Sequence, residues 1–243
     1  IKMAITSPWR HDFPQFNDKE FIYLDSAASS LKPQSVIDEI HHYYQNLSVN
    51  IHRGIYDEAY EATESFEATR EAVASFIHAD TDEIIFTRGA TSAFNLVATS
   101  WGSQILSEGD EIIVNELEHH SSILPWQVIA QKTKAKLVFI PLDKEGRITV
   151  SNFKSVLSPK TKVVAITYIS NVMGYRSPIR EITKLAHEMN AFVVVDAAQA
   201  VPHIPIDVQS LDVDFLGFSG HKMLGPTGVG VLFGKRELLA KME

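Results

Sequence analysis

The 243 residues carry 22 Lys and Arg against 30 Asp and Glu, a formal charge of −8, with 45% hydrophobic and 21% charged side chains, the balance of a globular domain. The acidic excess argues against nucleic acid or an anionic membrane as the main partner, since both select clustered Lys and Arg. No apolar run approaches the ~20 residues that span a bilayer, and residues 1–8 show no signal-peptide core, so a cytoplasmic chain is expected. There is no cysteine, which removes disulfides, zinc–thiolate and iron–sulfur ligation and a thiol nucleophile from these residues.

In chain order, residues 1–20 hold Pro8, Trp9, Phe13, Pro14 and Phe16 without a regular period and read as an arm that packs on something else. Beyond them apolar runs alternate with amphipathic ones, and no linker or repeat divides the chain. Strands are expected at 21–24, 83–87, 111–114, 136–140, 162–168, 191–196 and 215–219, with one more short strand at 228–234. Helices are expected at 35–45, 58–76, 91–101, 121–131, 150–157 and 179–189. Val163-Val164-Ala165-Ile166 and Phe192-Val193-Val194-Val195 are continuously apolar, as strands covered on both faces are. The alternation implies an α/β fold: a mainly parallel sheet with helices on both sides.

Ligands of open α/β sheets bind at the carboxyl ends of the strands, and four polar clusters lie at such ends. Arg88-Gly89-Ala90-Thr91-Ser92 joins a strand to a helix; the glycine turn offers free N–H groups and a positive dipole end to a phosphate, with Thr91 adding a hydroxyl, although Thr91 alone also reads as an N-cap. Asp196-Ala197-Ala198-Gln199 ends the most apolar strand, where an Asp needs a cationic partner or caps the next turn. Ser219-Gly220-His221-Lys222 places a Lys at the end of a buried strand. Lys is ordinarily a solvated surface residue, but a partly desolvated one becomes a nucleophile for carbonyls. Glu118-His119-His120-Ser121-Ser122 offers an imidazole to stack on a flat ring; a metal at His119 and His120 is less favoured, because adjacent residues rarely aim both rings at one ion and no Cys stands nearby. A phosphate cradle, a buried Asp and an active Lys together are the parts a pyridoxal phosphate site requires. The Lys binds the aldehyde and the Asp keeps the ring nitrogen protonated.

Seven segments in order carry a closer likeness: Tyr23-Leu24-Asp25-Ser26-Ala27-Ala28, Ile51-His52-Arg53-Gly54, Thr87-Arg88-Gly89-Ala90-Thr91, Glu118-His119-His120-Ser121, Ile169-Ser170-Asn171-Val172-Met173-Gly174, Val195-Asp196-Ala197-Ala198-Gln199-Ala200, and the run from Ser219 through Gly228. With them the chain resembles the fold-type I pyridoxal 5'-phosphate enzymes of the class V aminotransferase family. Within that family it resembles the group II cysteine desulfurases, or selenocysteine lyases, which supply sulfur for iron–sulfur cluster assembly. The resemblance implies a large cofactor-binding domain over 21–243, built on a mainly parallel seven-stranded sheet, with the arm over 1–20 associated with a small carboxyl-terminal domain that is absent. It implies that Lys222 holds the cofactor aldehyde and moves the Cα proton, that His119 stacks on the ring and assists, that Asp196 pairs with the ring nitrogen and that Gln199 donates to the phenolic oxygen. Ala90, Thr91, Ser219 and His221 surround the phosphate in the same likeness, and His52, Arg53 and Asn171 line the substrate side, with Asp25–Ala28 near the entrance. L-cysteine or L-selenocysteine is the implied substrate, a homodimer the implied assembly, and a sulfur-acceptor protein the implied partner.

One departure stands out. The family's sulfur-accepting Cys and the Arg that grips the substrate carboxylate belong to its carboxyl-terminal portion, whereas this sequence runs only 21 residues past Lys222 (243 − 222) and holds no Cys. The expectation is a desulfurase chain without its acceptor and inactive alone. The alternatives are another class V enzyme, such as an aminotransferase, epimerase or kynureninase relative, or a non-enzymatic scaffold.

Overall fold

The structure is a computed structural model that describes residues 7–17 and 22–242. Seven strands form one sheet: β1 (Ile84–Thr87), β2 (Glu111–Asn115), β3 (Lys136–Ile140), β4 (Thr161–Thr167), β5 (Phe192–Asp196), β6 (Phe215–Ser219) and β7 (Gly230–Gly234), in the order β1-β7-β6-β5-β4-β2-β3. Only β7 runs antiparallel to its neighbours; the remaining pairs are parallel. The main helices are α1 (Gln34–His42), α2 (Asp57–Ile77), α3 (Ala90–Leu96), α4 (His120–Thr133), α5 (Val150–Val156) and α6 (Ile179–Glu188).

Strand geometry divides the apolar runs between two cores, because successive side chains point to opposite faces. Val164 and Ile166 of β4, Val193 and Val195 of β5 and Leu216 and Phe218 of β6 pack with Ala74 and Ile77 of α2, Phe153 of α5 and Ile179, Ile182 and Ala186 of α6. Val163, Ala165, Val194 and Phe215 face the other way, onto Ala93 and Phe94 of α3 and Trp126 and Ile129 of α4. Each fully buried Val, Ile or Phe contributes about 1.5–3 kcal/mol by leaving water, so both faces of β4 and β5 favour the same register.

The expected strand at 21–24 does not form. Residues 22–24 have no regular structure, with Ile22 82% and Leu24 91% exposed, and Phe21 lies outside the described residues. An apolar alternation makes a strand only beside a free edge; the edges here are β1 and β3, and neither pairs with it. The seventh strand is β7 instead. The expected helix 91–101 forms and runs on to Ile105, with a wider π turn over Val97–Gly102 between α3 and its last residues. There Gly102 lets the buried Trp126 ring approach to where a Cβ would meet it at 2.7 Å. Of the expected arm, residues 1–6 and 18–20 lie outside the described part; 7–17 hold two single 3-10 turns, Arg10–Asp12 and Pro14–Phe16, with the Arg10 guanidinium 4.0 Å from the Phe16 ring centre.

Two packing details position the carboxyl edge. Ser219 of β6 and Thr87 of β1 both pair in register with Gly230 at the start of β7. A Cβ on Gly230 would sit 2.4 Å from Gly89 Cα and 2.7 Å from Phe218 O, so the turn after β1 lies directly on the backbone of β7. At the other edge, buried Asp214 accepts from Val193 N at 2.7 Å and His187 Nε2 at 2.9 Å and pairs with Lys235 at 3.1 Å. It joins the last turn of α6 to β5, β6 and the end of β7.

Two outcomes follow from these contacts. Gly230→Ala forces the Gly89 turn off the sheet and costs about 1–3 kcal/mol by overpacking, read as a lower denaturant midpoint. The hydrogen bond to Asp214, set against burial, raises the His187 pKa above its ordinary 6.5. The stability that protonated His187 adds is therefore fully present below about 6.5 and lost as pH rises through the raised value. His187→Gln keeps a donor without the charge. Denaturant unfolding should show it less stable than the parent by about 1 kcal/mol at pH 6, with the gap closing above that raised value.

Candidate active site

A cavity of about 490 Å³ opens where the carboxyl ends of β1, β2, β4, β5 and β6 meet. Its wall includes Ala90, Thr91, His119, Asn171, Asp196, Ser219, His221 and Lys222, together with Asp25, Ala27, Ala28 and Ser121. Eight residues expected from five separated segments thus lie around one space.

Asp196 ends β5 and is 5% exposed, with Oδ1 accepting from Ala198 N at 2.9 Å. Burial raises its pKa; the Ala198 N–H and the charges of Lys222 and His119 pull it back. Among the described residues no ion pair forms at Asp196, and the buried carboxyl faces the cavity. Lys222 closes the 3-10 turn Gly220–Lys222 that follows β6.

The cradle at the start of α3 is built by two neighbours. Gly89 holds φ 148° and ψ 174°, a conformation open to glycine alone. Ser219 Oγ accepts from Ala90 N at 2.8 Å. The other N–H groups of the first turn have no intrahelical acceptor and bring the positive end of the helix to the cavity beside Thr91.

His119 is the N-cap of α4: its Nδ1 accepts from Ser121 N at 3.2 Å and lies 2.7 Å from Ser121 Oγ. While Nδ1 accepts this main-chain N–H, the hydrogen of the ring sits on Nε2 in the neutral form. The cap therefore sets both the tautomer and the orientation of the ring. The neighbouring His120 ring is 6.4 Å away and tilted by 51°.

The segment before α1 closes one side. Ser30 N and Lys32 Nζ both donate to His221 O at 2.9 Å, and Leu224 N donates to Ser30 Oγ at 2.8 Å. Burial, then Lys222 and Lys32, push the His221 pKa down, and burial lowers that of Lys32.

Three expected residues are not part of the wall. Gln199 is buried and gives Nε2 to Ala27 O at 2.6 Å, which anchors the entrance segment from behind. His52 lies in a turn with φ 68°; its N–H donates to Thr63 Oγ1 at 2.9 Å and its Nε2 is 3.5 Å from Glu67 on α2. Arg53 is exposed in the same turn. The structure brings neither to the cavity.

Two residues come as additions. Lys32 carried no motif. Glu118 stands inside a quoted segment, but the histidines beside it held the chemistry in view. The available signal is its place three residues after Asn115, two polar side chains that follow the apolar run Ile112-Ile113-Val114.

The whole span from residue 22 to 243 matches the family model for aminotransferase class-V. The "Probable cysteine desulfurase" of Halalkalibacterium halodurans is 50% identical over 230 residues, covering 94% of this chain and 57% of that protein. The "Cysteine desulfurase" of Synechococcus elongatus is 48% identical over 235 residues, 95% of this chain and 38% of that one. The chain thus spans about half the length of the curated relatives it matches. Among solved structures, the cysteine desulfurase CsdA of Escherichia coli aligns with TM-score 0.89 at 42% identity, over 97% of this chain and 59% of that one. The apo cysteine desulfurase of Thermococcus onnurineus NA1 aligns with TM-score 0.92 at 40% identity, over 97% and 58%. With the parallel sheet, the cavity at its carboxyl edge and a family match over residues 22–243 in agreement, the chain belongs to the class-V aminotransferase family.

Proposed function

We propose that this chain is the cofactor-binding part of a pyridoxal 5'-phosphate-dependent cysteine desulfurase. The observation that carries the reading is the meeting of Asp196, Lys222, His119 and the Gly89–Thr91 turn around one cavity. The fit is chemical. Buried Asp196, without an ion pair among the described residues, suits a protonated ring nitrogen. The start of α3 with Thr91 and Ser219 suits a phosphate, and Lys222 suits the aldehyde. The names of the relatives point to the same chemistry.

In this reading Lys222 anchors the cofactor and carries the proton to and from the substrate Cα. Bound pyridoxal phosphate supplies the sink for the electron pair that the departing proton leaves. Asp196 holds the ring nitrogen cationic, and its low-dielectric setting strengthens that pairing. His119, lining the cavity with Nδ1 engaged by Ser121, would help to hold the ring and offers an Nε2–H donor. Asn171 stands on the substrate side and His221 beside the phosphate, with Gln199 securing the wall behind them. L-cysteine is the substrate of this reading and a sulfur-acceptor protein its partner. Exposed Ile37, Ile40, Tyr43, Tyr44, Tyr56 and Tyr60 around α1 and the start of α2 support a homodimer, since large apolar side chains grouped on a surface mark interfaces. Among the described residues no helix is long and apolar enough to cross a membrane.

Two measurements test the reading. Mixed with pyridoxal 5'-phosphate, the chain should develop the visible absorbance of a lysine adduct, and Lys222→Ala should lose it; undiminished absorbance in the variant refutes the role of Lys222. A polypeptide of these 243 residues has no Cys and so no thiol to receive sulfur. After incubation with cysteine its intact mass should show no sulfur adduct that reductant removes, and such an adduct overturns the assignment of the acceptor to a cysteine.

A further inference from the structure

The loop between β2 and α4 is held by a carboxyl that lies outside the cavity wall. Glu118 is 8% exposed, and its Oε1 accepts from Thr167 N at 2.6 Å and from the Asn115 side-chain amide. Asn115 closes the same turn, with Oδ1 accepting from Leu117 N at 2.7 Å. Thr167, at the end of β4, pairs in register with Asp196 on β5. One carboxyl therefore fastens the residue before His119 to the strand beside Asp196. Its other oxygen, Oε2, is enclosed and makes no hydrogen bond, although the Ser122 hydroxyl is close enough to favour the ionised form.

Building on the reading of the cavity as a pyridoxal phosphate site, we infer that Glu118 is a positioning residue: it fixes the His119 loop against β4 and acts through Asp196 on the nitrogen of the bound ring. The groups that face it are Asp196 from β5, Thr167 from β4, Asn115 from β2, Ser122 from α4 and the adjacent His119; Lys222, from the turn after β6, acts on Asp196. Burial and then the negative charge of Asp196 push the Glu118 pKa up to about 8, against the pull of Thr167 N–H and the Ser122 and Asn115 side chains. Two enclosed carboxyls, one hydrogen-bonded to Thr167 N and the other on the residue paired with Thr167, do not both ionise easily. While Asp196 is negative and unpaired, Glu118 keeps its proton. A cation at Asp196 cancels that field, so Glu118 releases its proton more readily, and by reciprocity ionised Glu118 tightens the hold on the cation.

The test follows the Thr167 amide by nuclear magnetic resonance across pH in the parent, Glu118→Gln and Asp196→Asn chains without cofactor, then in the parent loaded with pyridoxal 5'-phosphate. The Thr167 resonance of the parent should titrate with a midpoint near about 8. The transition should vanish in Glu118→Gln. In Asp196→Asn the midpoint should fall by about one unit, because a like charge has been removed, and loading should move the parent midpoint in the same direction. A transition that persists in Glu118→Gln, or a midpoint indifferent to Asp196→Asn, overturns the inference; a merely structural Glu118 would give neither shift. Should Glu118→Gln fail to fold, the carbon-13 shift of the Glu118 carboxyl in the parent and Asp196→Asn chains gives the same two midpoints. A chain that takes up no pyridoxal 5'-phosphate overturns the reading of the cavity and with it the action on a ring nitrogen. The Asp196→Asn midpoint then decides the coupling between the two carboxyls by itself.

Discussion

A carboxyl at the end of the central strand, closed off from water, is the constraint on which the rest of the site depends. Asp196 is carried there by the most apolar stretch of the chain, and burial raises its pKa. An isolated carboxylate in such a place is expensive. The surrounding parts read as answers to that cost: the Ala198 N–H accepted by Oδ1, the Lys222 charge beyond β6, and the imidazole of His119 across the cavity. They leave the carboxyl partly compensated.

Much of this layout was legible in the sequence because it follows from two strong local signals. Continuous apolar runs at β4 and β5 require cover on both faces, which implies helices on both sides and a parallel sheet. The polar clusters that interrupt these runs then fall at one edge of the sheet by topology, and eight of the expected residues line one cavity. What was not legible depends on long-range partners. Residues 22–24 are a short apolar run like the strands, yet they pair with neither edge of the sheet. Lys32 is an ordinary lysine until its ammonium reaches the His221 carbonyl. Glu118 reads as a charged residue beside two histidines, and only the Thr167 N–H, 49 positions away, shows it enclosed. His52 and Arg53 belong to a quoted segment, yet their turn packs on α2 and not on the cavity.

The two anchors of the lysine turn are of different kinds. From one side, Ser30 and Lys32 hold the His221 carbonyl through hydrogen bonds. From the other, β6 continues from a fully buried strand into the turn, so the Ser219 side chain is fixed before Lys222 is reached. Ser219, which accepts from Ala90 N, and Lys222 are thus three residues apart on one rigid path, and their separation is set by covalent geometry and not by a flexible loop.

The single antiparallel strand has a consequence for how the molecule assembles. β1 joins the sheet only through β7, and their paired residues, such as Ile84 and Phe233, lie far apart in the chain. As the chain leaves the ribosome, β1 and the glycine turn that follows it have no place in the sheet until β7 has been made. The Gly89 turn is therefore placed only once β1 and β7 pair, a long-range closure that slows folding. Ala93 and Phe94 of α3 have other cover, in the cluster with Trp126 and Ile129 of α4, so the turn and not the helix is what waits for β7.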